Sequence, residues 1–254
     1  MNPSHQITKN QHYVSRGIQK QFADSKKKVF ELYIEKDNLS KKIYEHTMAQ
    51  KFVYEQPQLS VNYLEKFFAD LEDKYILKID DCIEKVEEKY SSNTNCNDVI
   101  HNIKELLPIL LIFYFRSGAL LYEYSFSAEN PKLVKVERMM MNIFDERYIW
   151  GLCETISKFY ESAVIIDEQE RFLLSDQYLS TVALSYKNIF CNASNRQIGM
   201  KDTMLLIPLS AKFYVVFYHG RKPDYILKDK FCVLDDLAIS QINNVIYQNS
   251  YVKC

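Results

Sequence analysis

Four positions in this chain set a reactive side chain in a context that singles it out: His12, Glu72, Arg116 and Asp176. His12 lies in the run Asn10-Gln11-His12-Tyr13-Val14-Ser15-Arg16-Gly17, which continues to Lys20 and Phe22. A histidine, an aromatic ring and two cations packed so closely are unusual for a free tail. An unperturbed imidazole titrates near pH ~6.5, so His12 can give or take a proton at neutrality. Tyr13, Arg16 and Lys20 are then candidate ligand-binding neighbours. The competing reading is an N-terminal segment docked onto the domain, with His12 in a structural hydrogen bond.

Glu72 falls on the same helical face as Phe68, Tyr75, Ile79 and Val86, which turns its carboxylate toward the core. Arg116 poses the mirror problem, because it follows the apolar run Leu106–Phe115. A buried carboxylate must be protonated or meet a cation or several donors, and a buried guanidinium needs an acceptor. The simplest resolution is that the two meet across a helix pair. They then form either a register-fixing ion pair or an anion site in which Glu72 orients Arg116. A third outcome is that both side chains snorkel to solvent.

Ser175-Asp176 closes a β-like run, where loops present polar groups at a sheet edge. Ser175 is a candidate binding residue. Asp176 is a candidate to orient His12, hold a metal or cap a turn. The sequence around Ser175 is not the Gly-x-Ser-x-Gly elbow of a hydrolase nucleophile. It also contains no phosphate-cradling glycine loop, His-Glu-x-x-His pair or kinase signature, and the spacing from Arg116 to a histidine does not match the helical ribonucleases. No metal ligand set is readable, and the cofactor is left open.

The elements that must position these residues are mostly helical. The 254 residues include only five glycines and six prolines, which disfavours a many-turned all-β fold. The pattern Leu64, Phe68, Leu71, Tyr75, Ile79, Ile83, Val86, Tyr90 predicts a long helix with Ser60 as its N-cap. A second helix is expected from about Asp98 to Tyr124, apolar on all sides over Leu106–Phe115, with Pro108 starting or kinking its inner part. A third runs from about Lys132 to Tyr160. The period then changes: Ala163–Asp167 with Arg171–Ser175, and Met204–Leu209 with Lys212–His219, read as two hairpins. Leu234–Tyr251 reads as a closing helix. Asp24–Phe52 is polar and irregular, apart from a short helical or strand-like piece at Val29–Ile34.

The expected fold class is therefore α+β, a single domain over 1–254. Its helical part covers about 24–161 and its β-rich part about 162–254, with a small antiparallel sheet and the closing helix. The formal charge of −1 excludes a global pull toward nucleic acid, so such a partner needs a local patch, with Arg16, Lys20 and Lys26–Lys28 as its cations. The six cysteines are widely spaced without a Cys-x-x-Cys pair, which predicts reduced, mostly buried thiols. Met1 is followed by polar residues rather than a secretory h-region, and Leu106–Tyr122 is too interrupted to span a bilayer. The expectation is a cytoplasmic protein with no membrane span.

His12-Tyr13-Val14, Leu71-Glu72, Arg116, Ser175-Asp176, Pro208-Leu209-Ser210 and Ile242-Asn243 occur in an order that resembles a bacterial family of unknown function, DUF4238. Family members open with His-Tyr-Val-Pro and follow the helix-ending arginine with Thr-Pro. This chain departs at Ser15 and at Ser117-Gly118. The resemblance implies that these shared positions matter, but it brings no reaction. Two functions follow. One is an enzyme acting on a phosphate-containing substrate, a nuclease-like effector with His12 as acid or base and Arg116 as anion clamp. Glu72 and Asp176 would orient these groups or hold a divalent ion. The other is a non-catalytic binding or regulatory module with a structural Glu72–Arg116 network, in which Tyr13, Tyr178 and Tyr186 face a protein partner.

Overall fold

The computed structural model describes residues 8–125, 129–183, 198–251 and 253–254. Tyr186 and one of the six cysteines, Cys191, lie outside the described residues. The fold is α+β, with helices dominating the middle of the chain and a sheet in the last third.

The N-terminal region departs from the sequence reading. Residues 10–51 form two short antiparallel ribbons rather than an irregular lead-in to helices, and the short piece expected at Val29–Ile34 is one of their strands. Strand β1 (Asn10–His12) pairs with β4 (Ala49–Lys51), and β2 (Lys28–Tyr33) pairs with β3 (Asn38–Ile43). Between β1 and β2 sits a short helix, α1 (Arg16–Lys20), whose N-cap Ser15 side chain accepts from the Gly17 N–H at 3.3 Å. The ribbons escape a periodicity reading because their exposed positions mix Lys with Phe and Leu, which blurs the alternation.

Helix α2 (Tyr63–Ser91) carries the predicted stripe, with Leu64, Phe68, Ile79, Cys82 and Val86 buried. Its N-cap is Asn62 in the left-handed conformation (φ 60°) rather than Ser60, whose carbonyl instead accepts a turn bond from Tyr63 N at 3.0 Å. Helix α3 (Asn97–Phe115) runs unbroken through Pro108 and is the most buried of the helices. The expected continuation to Tyr124 is interrupted: α4 (Gly118–Ser125) leaves α3 at 50°. The Asp176 carbonyl receives the Ala119 N–H at 3.2 Å, satisfying a donor at the start of α4. The predicted third helix is likewise two, α5 (Pro131–Ile143) and α6 (Glu146–Phe159). Asp145 caps the second by accepting from Tyr148 N at 3.0 Å.

The main sheet joins β5 (Glu161–Ile166), β6 (Ser180–Ala183), β7 (Thr203–Pro208), β8 (Phe213–His219) and β9 (Phe231–Val233) in the order β6-β7-β8-β5-β9. All pairs are antiparallel except β5 with β9. The β7–β8 hairpin forms as expected. Arg171–Ser175 does not join a ladder, because β8 and β9 already occupy both edges of β5. Helix α7 (Asp236–Gln248) covers one face, packing with Ala163, Ile165, Val216 and Tyr218. The alternate residues Val164, Ile166, Val215 and Phe217 pack into the core built with the helices. Burial on both faces explains why β5, β7 and β8 read as nearly continuous apolar runs.

Among the described residues, no single helix is long and apolar enough to cross a membrane. Helices α3 and α4 pass such a test only as a bent pair. The described cysteines Cys82, Cys96, Cys153 and Cys232 are buried free thiols, and Cys254 is free and partly buried.

The N-terminal segment is held against this body by a close fit. Tyr13 is 5% exposed, and a methyl group added at Gly118 would stand 2.7 Å from two of its ring carbons. Gly118→Ala is therefore expected to cost ~1–3 kcal/mol by overpacking. It should also raise amide exchange selectively over residues 10–20, measured by urea unfolding and hydrogen-exchange mass spectrometry. Unchanged exchange in that segment would mean that the Tyr13 contact does not hold it.

Candidate functional site

The site begins with backbone pairing. Register across β1 and β4 sets His12 opposite Ala49, and Tyr13 N continues the pairing to the Met48 carbonyl at 3.1 Å. Gln11, fully buried, donates from its amide to Glu55 at 2.8 Å and accepts from Tyr54 N at 2.8 Å. The chain around Tyr54 is thereby clamped beneath the segment. The Tyr54 hydroxyl donates to the His12 carbonyl at 3.1 Å and lies 3.4 Å from the Arg116 carbonyl, joining the segment to the end of α3. Burial raises the Tyr54 phenol's pKa, so it stays protonated and keeps this donor role.

Arg116 ends α3 with its side chain 1% exposed. Its guanidinium carbon lies 4.6 Å from the centre of the Phe68 ring and 4.9 Å from that of Phe113. One terminal nitrogen donates to Glu72 in an ion pair. The two residues meet as each one's apolar setting requires, though asymmetrically: Glu72 remains about a quarter exposed while Arg116 is enclosed. Burial opposes the Arg116 charge, and Glu72, with Tyr54 and Glu65 behind it, more than offsets that, so the guanidinium stays charged. Its Nε has no partner among the described residues.

His12, Arg16, Glu65, Glu72 and Arg116 line one pocket of about 270 Å³, with Thr8 and Asn10 at its edge. His12 Nε2 lies 3.0 Å from the Glu45 carbonyl. A carbonyl only accepts, so Nε2 carries the proton and Nδ1 is left with the lone pair. The Arg16 Nε contact with the same nitrogen at 3.4 Å is therefore electrostatic rather than a donation. Burial, then the Arg16 charge, lowers the His12 pKa to about 4. This corrects the expectation of a histidine titrating near neutrality: His12 is a neutral imidazole there. Arg16 itself is exposed, and no carboxylate pairs with it among the described residues.

Glu65 is not among the four positions that the sequence singles out, yet burial raises its pKa to about 6, with Arg116 pulling the other way and Glu72 reinforcing the rise. It is the group of this pocket that changes charge nearest neutrality. Its signal was available in the sequence: Glu65 precedes Glu72 by seven residues, which is two turns of α2 on the same face. Tyr54 and Gln11 had no such signal, because their roles arise only where β1 meets the chain before α2.

Asp176 does not belong to this pocket. It is fully buried, and its carboxylate accepts from Tyr251 N at 3.1 Å and Lys253 N at 3.2 Å, fixing the last residues of the chain. With Tyr13 and Lys253 it lines a different pocket, of about 400 Å³. It therefore neither orients His12 nor shares a metal with Glu72. Ser175 is buried, its hydroxyl accepting from Gln177 N at 3.1 Å, a turn bond rather than a ligand contact. Tyr13 and Tyr178 are buried and so face no partner. Lys20 and Lys26–Lys28 are exposed and line none of these pockets. Among the described residues, no group of three or more His, Cys, Asp or Glu is arranged to hold a metal ion.

The family described as a protein of unknown function (DUF4238) matches residues 10–253. No curated protein and no solved structure matches the chain.

The two shifted groups pull stability in opposite directions with pH. His12 has a folded pKa of about 4 against an ordinary 6.5, so unfolding takes up a proton in that window and stability falls as pH drops. Glu65 has a folded pKa of about 6 against an ordinary 4.5, so folding takes up a proton there and stability rises as pH drops. Relative to the unaltered protein, His12→Asn is expected to gain stability on acidification and Glu65→Gln to lose it, read by urea unfolding between pH 7 and 4. Parallel curves for all three proteins would refute the opposed titrations. Glu72→Ala, which strands the enclosed Arg116, is expected to cost about 3 kcal/mol, reduced to the extent that water reaches Glu72, in the same unfolding measurement at pH 7.

Proposed function

The chain belongs to the DUF4238 family, and we propose that it binds and processes a small phosphate-bearing ligand in the pocket between β1, α1, α2 and the end of α3, in the manner of a nuclease-like effector. The observation that carries this reading is Arg16: an exposed guanidinium at a pocket that also holds a buried arginine, an imidazole and a carboxylic acid with a raised pKa. Arg16 supplies the bidentate contact to a phosphate. Arg116, neutralised by Glu72, contributes its position and its unused Nε rather than a free charge. Glu65 acts as the proton donor, since its pKa near 6 leaves part of it protonated at neutrality. The neutral His12 serves as the acceptor through Nδ1. A pocket of about 270 Å³ suits one phosphate ester rather than a long strand, consistent with the near-zero net charge.

A second reading is favoured by the completeness of the Glu72–Arg116 pair. A guanidinium whose charge is already neutralised by a carboxylate and set against two rings needs no anionic ligand to account for its charge. On that reading the protein is a binding or regulatory module with a protein partner, and the network fixes how α2 meets α3.

The test uses bis(p-nitrophenyl) phosphate and a single-stranded RNA as substrates, with inorganic phosphate as competitor. Arg16→Ala is expected to weaken phosphate competition about tenfold or more. Glu65→Gln should leave competition intact and lower turnover ~10²–10⁴-fold, and His12→Ala should lower turnover while sparing the fold. Phosphate binding without turnover in the unaltered protein would select the binding module. Absence of both would sink the phosphate reading.

A further inference from the structure

The β2–β3 ribbon turns its more apolar face outward. Its register puts Lys28, Phe30 and Leu32 on one face with their partners Ile43, Lys41 and Leu39. Val29, Glu31 and Tyr33 share the other with Lys42, Ser40 and Asn38. The second, more polar face is directed into the protein, where Glu31 is 2% exposed and engaged by Lys42, Thr47 and Lys253. On the first face Phe30 is 66% exposed, Leu39 63% and Ile43 41%. Phe30 stands opposite Lys41 and so diagonal to both Leu39 and Ile43, which makes the three one apolar stripe. Apolar burial ordinarily decides which face of a ribbon points inward, so this arrangement leaves a surface fitted to an outside partner.

Charge is distributed unevenly along the stripe. Lys26, Lys27 and Lys28 follow one another where the chain enters β2, and all are exposed. Lys41, on the apolar face, holds its ammonium 5.0 Å from the centre of the Phe30 ring. The acids at this end are Asp24, which pairs with Lys41 at 2.9 Å, and Glu45, just past Ile43. At the far turn Glu35 and Asp37 flank Lys36. The Ile43 end thus carries four lysines against two carboxylates, and the far turn carries two carboxylates against one lysine.

Phe30 and Leu39 also border a largely apolar cavity of about 390 Å³ between the ribbon and the extended chain at 170–174. Glu170 and Arg171 line it as well, and Arg171 is held by Asp167 and Asp236. That side of the cavity repels an anionic surface, so the basic contact is confined to the ribbon.

We propose that the outward face of this ribbon docks on an anionic phospholipid surface. Phe30, Leu39 and Ile43 enter the headgroup boundary, and Lys26, Lys27, Lys28 and Lys41 lie among the phosphates. Three side chains in one stripe fall well short of the ~800 Å² per partner of a specific protein interface. A second copy applied to this face by two-fold symmetry would set lysines against lysines. A lipid interface asks for no matching shape, and its charge complements the ribbon.

The test is co-sedimentation with vesicles of phosphatidylcholine alone or with about a third phosphatidylserine. Binding to the phosphatidylserine vesicles is expected, at least tenfold stronger than to phosphatidylcholine, and weakened between ~0.1 and ~0.5 M salt. Phe30→Thr and Leu39→Thr, both at exposed strand positions, should each weaken it about fivefold or more without lowering the melting temperature. Replacing Lys26, Lys27 and Lys28 together by Gln should remove most of the preference for phosphatidylserine. No vesicle binding, equal binding to both compositions, or undiminished binding in both threonine variants would overturn the proposal. So would a concentration-dependent dimer that Phe30→Thr abolishes, since the face would then belong to a second copy.

Discussion

The rest of this structure depends on a charge that the fold encloses. Arg116 stands where α3 ends, against the rings of Phe68 and Phe113 and neutralised by Glu72. Burying a guanidinium without a partner costs several kcal/mol, whereas a charged pair with aromatic rings beside it can be tolerated. Only one approach of α2 to α3 supplies Glu72 and Phe68 together, four residues apart on one face. The ion pair therefore constrains the helix packing as much as it decorates it. It also accounts for the bend after α3, since the side chain is turned inward where the backbone departs at 50° into α4.

The N-terminal segment is built onto that constraint. Tyr54 joins the His12 carbonyl to the Arg116 carbonyl, and Tyr13 packs against Gly118 just beyond the bend. A segment with so few residues of regular structure is held because Gln11, His12 and the Tyr13 backbone each bond to the chain between residues 45 and 55. The consequence for chemistry is direct. Burial beside two arginines strips His12 of its proton, while burial beside Glu72 leaves Glu65 partly protonated near neutrality. The environment has exchanged the roles that the bare side chains suggest, and the carboxylate rather than the histidine becomes the group that titrates near neutrality.

The opposite end of the chain is secured by a separate device. Asp176, turned into the protein after the sheet's irregular segment, accepts two backbone N–H groups from the final residues, and Lys253 reaches back to Glu31 on β2. The Leu32 and Cys254 backbones exchange hydrogen bonds, so the end of the chain acts as a short extra strand on the ribbon. Through this strap the β2–β3 ribbon, which has little core of its own, is tied to the main body and forms one wall of the apolar cavity.

By itself, the amino-acid sequence determined what periodicity and charge placement can determine. The 3.6-residue stripe of α2, the all-round apolar α3, the β7–β8 hairpin and the late clustering of strands follow from residue types at fixed spacings. So does the meeting of Glu72 with Arg116, because each alone would be intolerable where it stands. Tertiary structure decided what depends on which neighbour arrives first. Arg171–Ser175 has strand-like composition but no ladder, since β5 had its two edges taken by β8 and β9. Asp176 has the composition of a site residue but was claimed by backbone donors from the far end of the chain. The pKa values of His12 and Glu65 were set by burial and by charges from other elements, and those are long-range quantities that no local spacing encodes.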